Sequence, residues 1–288
     1  MTAFRGLMVA TLTPFDGNDR IDPGALRRHV EFLVGEGVAA LCPVGTTGEF
    51  LYLTAGEKVR VVEETVAAAA GRVPVVAGVW GLRPRETALL CRAARAAGAD
   101  AVFLPPPIYY PASDDAIHRH YAAAAADSEL PVFAYNIPAY AGNALSSDLV
   151  ERLVADRVIA GIKDSSAKSD RMAELVSRFS GRIAVEAASD SFAAQARELG
   201  ADGFISALAN IWPAAFRRLW DGETSLQPAV DAARDAVKRA GGIAALKHLL
   251  GLRGFAFGDS RLPYSALSEE ARAALAGAFQ AASGAGMA

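Results

Sequence analysis

A chain of 288 residues can bury a large hydrophobic core as one barrel-sized domain, so neither disulfide staples nor a structural metal is needed to hold it. Hydrophobic residues make up 52% and charged residues 21%, with a formal net charge of −3, which gives no general attraction to a polyanion and argues against nucleic acid as a partner. The two cysteines, Cys42 and Cys91, have no CxxC or His-rich partner tract, the four histidines have no metal-ligand spacing, and no apolar run approaches the length of a membrane span.

The opening MTAFRGLMVATLTPF is apolar but soon meets Pro14 and a polar turn, which fits a first strand over 6–12 and not an export signal. A cytoplasmic protein is expected. The chain then repeats one arrangement: an apolar, often β-branched run, a Gly, Pro or polar turn, and an Ala- and charge-rich stretch of helical period. Strands are expected at 39–44, 74–79, 101–104, 131–135, 158–162, 183–186 and 203–207, with helices in segments such as ALRRHVEFLVGEG and RETALLCRAARAAGAD. Near-continuous apolar strands indicate a parallel sheet covered on both faces. Units of this length leave room for little beyond a strand and its crossover helix, giving a (β/α)8 TIM barrel over 1–222. A doubly wound sheet is the alternative, although TLTPFDG stands where its dinucleotide-binding version needs GxGxxG. From 223 to 288 a C-terminal helical extension is expected; the helical segments from the barrel's end onward fall near 213–222, 226–240, 242–250 and 268–280. FGDSRLPYS reads as a polar turn between the last two of them. AASGAGMA carries little that must be ordered, so the tail is expected to fray.

In a parallel barrel the C-terminal strand ends meet at one face, where active sites form. The polar exceptions fall at those ends: Thr46, Thr47 and Glu49 after strand two, Tyr109 and Tyr110 after strand four, Tyr135 and Asn136 at strand five, Lys163 and Asp164 at strand six, Asp190 after strand seven, and Ser206 and Asn210 at strand eight. A desolvated lysine attacks ketones and aldehydes, and the iminium it forms is an electron sink for making or breaking an adjacent C–C bond. Such chemistry needs a proton carrier. The phenol of Tyr135 on the neighbouring strand offers one, and Thr46 or Thr47 can orient it while donating to a carboxylate. Each residue also has a plain structural role open to it: Lys163 as a rim cation paired with Asp164, Tyr135 as a packed aromatic, GTTGE as a tight turn, Asp190 as a helix N-cap. LPPPIYYP is a proline-stiffened loop that displays its tyrosines, His118 and His120 fit a helix surface, and Arg253 and Arg261 flank FGDS without selecting an anionic ligand.

GTTGEF at 45–50, the tyrosine pair at 109–110, YNIP at 135–138 and GIKDSS at 161–166 together resemble, in order and position, the dihydrodipicolinate synthase and N-acetylneuraminate lyase superfamily of class I aldolases. The likeness covers essentially the whole chain. It implies that Lys163 forms a Schiff base with the C2 ketone of a 2-oxo acid, commonly pyruvate, that Tyr135 relays the proton, and that the Thr46/Thr47 turn holds the carboxylate. It also implies that one of Tyr109 and Tyr110, the latter in preference, crosses a tight dimer interface into the neighbouring site, within a homotetramer of two such dimers. No metal or other cofactor is called for. Synthases of this superfamily carry an arginine for the second substrate's carboxylate where this chain has Tyr140, which argues against aspartate semialdehyde. Asp190 matches a residue that holds substrate hydroxyls in the lyases, while Ala188 and Ser191 depart from the sialic acid pattern. The expectation is therefore reversible cleavage of a 4-hydroxy-2-oxo acid, such as a 2-keto-3-deoxy sugar acid, to pyruvate and an aldehyde, with Tyr109, Tyr140, Asp190 and Ser206 contacting substrate. Dihydrodipicolinate synthesis, Schiff-base dehydration of a 2-oxo-3-deoxy acid, and a non-catalytic metabolite-binding barrel are the alternatives.

Overall fold

The computed structural model describes residues 4–261, 263 and 266–288. Eight short strands, β1 (Gly6–Ala10), β2 (Ala40–Cys42), β3 (Val76–Gly78), β4 (Ala101–Leu104), β5 (Val132–Asn136), β6 (Gly161–Asp164), β7 (Ala184–Ala187) and β8 (Gly203–Ser206), pair in parallel in the order β2-β1-β8-β7-β6-β5-β4-β3. A further parallel bridge between Leu41 and Val75 brings β2 back to β3 and completes the ring. Between the strands lie α1 (Pro23–Gly35), α2 (Ala55–Ala69), α3 (Pro84–Ala97), α4 (Asp114–Ser128), the single turn α5 (Pro138–Ala141), α6 (Ser147–Ala155), α7 (Ser169–Phe179) and α8 (Ala193–Glu198), and α9 (Pro213–Asp221) follows the last strand. This is the (β/α)8 barrel expected from the strand rhythm.

Strand residues alternate between two cores because successive side chains point to opposite faces. Leu7, Val9, Leu41 and Val102 pack outward under the helices, whereas Met8, Cys42, Phe103, Phe133 and Ile205 fill the barrel's interior. The first two helices start on side-chain caps: Asp22 accepts from the Ala25 amide at 3.0 Å, and Thr54 and Glu57 form a reciprocal capping box on α2.

The expected sixth strand, 158–162, is displaced. Its apolar start belongs to the end of α6, where the Val158 amide donates to the Leu153 carbonyl at 2.8 Å, so the strand begins at Gly161 and contains Lys163 within it. Beyond the barrel, α10 (Gln227–Arg239), α11 (Ile243–Leu252) and α12 (Glu269–Ala282) match the expected helices. The turn expected in FGDSRLPYS is described through Arg261 and at Pro263; Leu262, Tyr264 and Ser265 lie outside the described residues. The tail is anchored, contrary to the expectation from its composition: Met287 is buried, and Arg218 donates to the Gly286 carbonyl at 2.9 Å. Small residues there let the chain fold back over α9. Among the described residues no helix is long and apolar enough to cross a membrane.

Candidate active site

The β5–β6 register sets Tyr135 beside Lys163 and Asn136 beside Asp164. Alternation sends the first pair into the barrel and the second to its outer side. Asp164 is therefore not the partner of Lys163. Its carboxylate accepts from Asn136 Nδ2 at 2.7 Å and from the Ser166 amide at 2.8 Å, with Arg171 Nε 3.6 Å away. Lys163 itself is buried, and its Nζ lies 3.9 Å from the centroid of the Tyr135 ring and 5.3 Å from that of Phe103. Both rings belong to the wall of a cavity of about 380 Å³, together with Thr46, Phe50, Trp80 and Tyr140. The lysine lies against these two rings and is not itself among the lining residues. Below, it shares a small void with Met8 and Cys42, whose thiol is pushed up to about 12 by burial and is chemically quiet.

One wall is made by the turn after β2. The chain there crosses β3 so closely that a Cβ on Gly78 would lie 2.1 Å from the Val44 carbonyl oxygen, so no larger residue fits without moving the turn. Val44 has φ 61° and Glu49 φ 58°, left-handed values that a β-branched and an acidic residue hold only under constraint from their surroundings. Within the turn, Gly48 and Glu49 donate to the carbonyls of Gly45 and Thr46 at 3.0 and 3.2 Å. Among the described residues neither the amides nor the hydroxyls of Thr46 and Thr47 are spent on a protein acceptor, and both residues are half-buried. Thr46 lines the cavity directly. Successive free N–H groups beside hydroxyls are a carboxylate-binding arrangement.

Tyr140 stands on α5 at the cavity mouth, largely exposed. Tyr109 and Tyr110 are not part of this cavity's lining; they project from the surface with 83% and 75% exposure, their rings edge to face at 5.0 Å. Tyr109 carries φ 74°. Asn143 pins their loop, donating to the carbonyls of Pro107 and Tyr110 at 2.7 and 2.9 Å and accepting from the Ala112 amide. Asp190 and Ser206 are buried and turned toward each other, with Ser206 Oγ donating to the carboxylate at 2.6 Å. They too lie outside the cavity lining. Burial, partly offset by the Ser206 hydrogen bond, raises Asp190 to about 6. His118 and His120 serve α4, bonding Asp156 and the Pro105 carbonyl.

Three features escaped the sequence pattern. Phe50 and Trp80 form a rigid aromatic wall, their centroids 4.2 Å apart, with Lys58 Nζ donating to the Trp80 carbonyl at 3.0 Å. Glu186, in register with Lys163, is fully buried and its carboxyl oxygens have no hydrogen-bond partner among the described residues. Burial, then the charge of Asp202, pushes its pKa well up, favouring the neutral form of the acid inside the barrel. An acidic residue in the inward phase of the expected strand 183–186 was the available signal. Finally, Lys247 of α11 holds Glu49 of the turn at 2.6 Å, both side chains buried, while the Arg261 amide donates to Glu49 at 2.9 Å. Arg261 in turn clasps Glu57 and Asp19.

Residues 3–282 match the profile of the dihydrodipicolinate synthetase family. The chain is 35% identical over 278 residues to a protein of Halobacterium salinarum described as an uncharacterized DapA-like lyase, covering 94% of this chain and 91% of that one. It is 33% identical over 287 residues to the 4-hydroxy-tetrahydrodipicolinate synthase of Thioalkalivibrio sulfidiphilus, covering 97% and 98%. Among solved structures it superposes on the dihydrodipicolinate synthase DapA-2 of Bacillus anthracis with a TM-score of 0.93 at 30% identity, covering 97% and 99%, and it shares the fold of the sialic acid aldolase of Ruminococcus gnavus at 0.92 and 23%, covering 99% and 98%. The matched profile spans nearly the whole chain, barrel and helical extension together, and the chain belongs to the dihydrodipicolinate synthetase family, as a pyruvate-dependent class I enzyme of the lyase and synthase kind.

Proposed function

We propose that this enzyme cleaves a 4-hydroxy-2-oxo acid reversibly to pyruvate and an aldehyde through an imine on Lys163. The observation that carries the reading is the Lys163 amine, buried inside the barrel and 3.9 Å from the ring of Tyr135, which lines the cavity. The Thr46/Thr47 turn receives the substrate carboxylate, placing the C2 ketone against the amine. Attack forms the C–N bond, and the ketone oxygen leaves as water on taking up a proton from Tyr135. Tyr135 then takes the C4 hydroxyl proton, directly or through a water. The C3–C4 bond then breaks, its electron pair flows into the iminium, and the aldehyde leaves. Tyr135 returns the proton to C3 of the enamine, and hydrolysis frees pyruvate and the amine. Asp164, Asn136 and Arg171 act from behind the strand by fixing the register that aims Lys163.

The synthase reaction named for several relatives is the second reading, favoured by their 33% identity over nearly the full chain. It asks for a cation opposite the second carboxylate, and among the described residues no arginine, histidine or lysine lines the cavity. Of the residues behind the sugar-acid expectation, Asp190 accepts from Ser206 Oγ at 2.6 Å and does not line the cavity. A homotetramer of tight dimers, with the exposed tyrosine pair at the dimer contact, and a cytoplasmic location belong to the same family-based reading.

Incubation with 4-hydroxy-2-oxo acids, with products resolved by mass spectrometry, tests it. Pyruvate plus aldehyde is expected; a single dehydrated oxo acid would replace cleavage by dehydration, and ligand-induced stabilisation without product would leave a binding barrel.

A further inference from the structure

Building on the imine reading, we infer that the aldehyde half of the substrate is apolar, an aryl or branched-alkyl aldehyde and not a polyol. The cavity wall decides this. Its polar side chains are Thr46, Tyr135 and Tyr140, with the indole of Trp80. The first two are committed to the 2-oxo acid end. What remains around the leaving fragment is Phe50, Trp80, Ile108, Ile137 and Ile243, with the largely exposed Tyr140 the one further hydroxyl, and among the described residues no Asp, Glu, Asn, Gln, Ser, His or Arg side chain joins them.

A hydroxylated chain desolvated against such a wall leaves its hydroxyls without partners, whereas an aryl or alkyl group replaces ordered water at an apolar surface. Neither buried acid joins the wall: Asp190 is hydrogen-bonded by Ser206 at 2.6 Å, and Glu186, in register with Lys163, is likewise absent from the lining. The aromatic wall is preorganised, because Phe50 and Trp80 pack at 4.2 Å and Lys58 fixes the Trp80 carbonyl. The opposite side comes from the extension: Gly241 and Gly242 contribute no side chain and Ile243, first residue of α11, supplies the contact. Leu51, 55% exposed, continues the apolar surface to the mouth. Ile243 is thus a specificity-determining residue delivered from outside the barrel proper.

The test is aldol addition of pyruvate to aldehydes of similar length: benzaldehyde and 3-methylbutanal against glyceraldehyde and the anionic succinic semialdehyde, run beside borohydride trapping of pyruvate on the same enzyme. The kcat/KM for the apolar pair is expected to exceed that for glyceraldehyde by about ten- to a hundredfold, the range a hydrophobic pocket reaches. Ile243→Asn is expected to lower that ratio by about tenfold, a change that simple structural damage, which depresses both substrates together, does not produce. Preference for glyceraldehyde or succinic semialdehyde with Lys163 still trapped would overturn the inference alone, as would trapping with no aldehyde accepted. Failure of trapping overturns the imine reading and the inference with it.

Discussion

Tyr135 and Lys163 are register partners across β5 and β6, and the lysine amine sits 3.9 Å from the phenol's ring centroid. The ring and the hydroxyl therefore have separable jobs. The ring packs against Phe103, while the hydroxyl has Ser165 Oγ at 3.5 Å as its protein partner. Tyr135→Phe keeps the packing and removes the hydroxyl proposed to carry the proton. Steady-state kinetics are expected to show kcat lower by about 10²–10⁴-fold, and thermal melts a loss of no more than about 1 kcal/mol.

The ion pair between Glu49 and Lys247 ties the turn that holds Thr46 and Thr47 to α11. Lys247→Met leaves Glu49 buried without its cation, at a cost of about 3–5 kcal/mol. The turn also loosens, so KM for pyruvate is expected to rise more than kcat falls. Glu49→Gln combined with Lys247→Met removes the stranded charge, and urea titrations are expected to recover part of the stability. Equal losses in the single and double variants would show that the pair does not act as a unit.

His29 and Asp190 pull stability in opposite directions with pH. Burial lowers His29 to about 4 from 6.5, so the unfolded chain binds the proton first and stability falls as pH drops from 6.5 through 4, by about 3 kcal/mol. Asp190, raised from 3.8 to about 6, holds its proton longer in the folded state, so its contribution is present below 3.8 and lost as pH rises through 6, again about 3 kcal/mol. The two slopes offset each other between pH 4 and 6. Asp190→Asn removes one of them, and its melting temperature is expected to gain on wild type as pH rises across that window, with a steeper acid loss than wild type.

Two glycines give a paired test of the turn's geometry. Gly78→Ala drives a methyl into the Val44 carbonyl, and it is expected to cost about 1–3 kcal/mol and to raise KM for pyruvate by displacing Thr46. Gly277, inside α12 with nothing within 4 Å of an added Cβ, is expected to gain about 0.5–1 kcal/mol on becoming alanine, with kinetics unchanged. Calorimetry of both variants checks the contrast.

The barrel was legible because eight apolar runs recur with helical crossovers, and Lys163 was legible because a lysine is costly inside such a run. Its strand was misplaced by three residues at the start, since the Val158 amide closes the end of α6 on the Leu153 carbonyl and the ladder begins only at Gly161. Asp190 and Ser206 were correctly sited at adjacent strand ends, yet type and position do not reveal that they satisfy each other. The Glu49–Lys247 pair and the Ile243 contact join distant parts of the chain, and no periodicity carries that information. Met287 shows the same limit: small residues suggested fraying, while a single apolar side chain finding a buried seat holds the tail.

Reduction with borohydride in the presence of pyruvate, followed by peptide mass mapping, bears most directly on the role of Lys163. A reduced pyruvyl adduct is expected on the peptide containing Lys163, dependent on pyruvate and absent from Lys163→Ala along with turnover. Adduct on a different lysine, or undiminished cleavage by Lys163→Ala, would contradict imine catalysis at this residue.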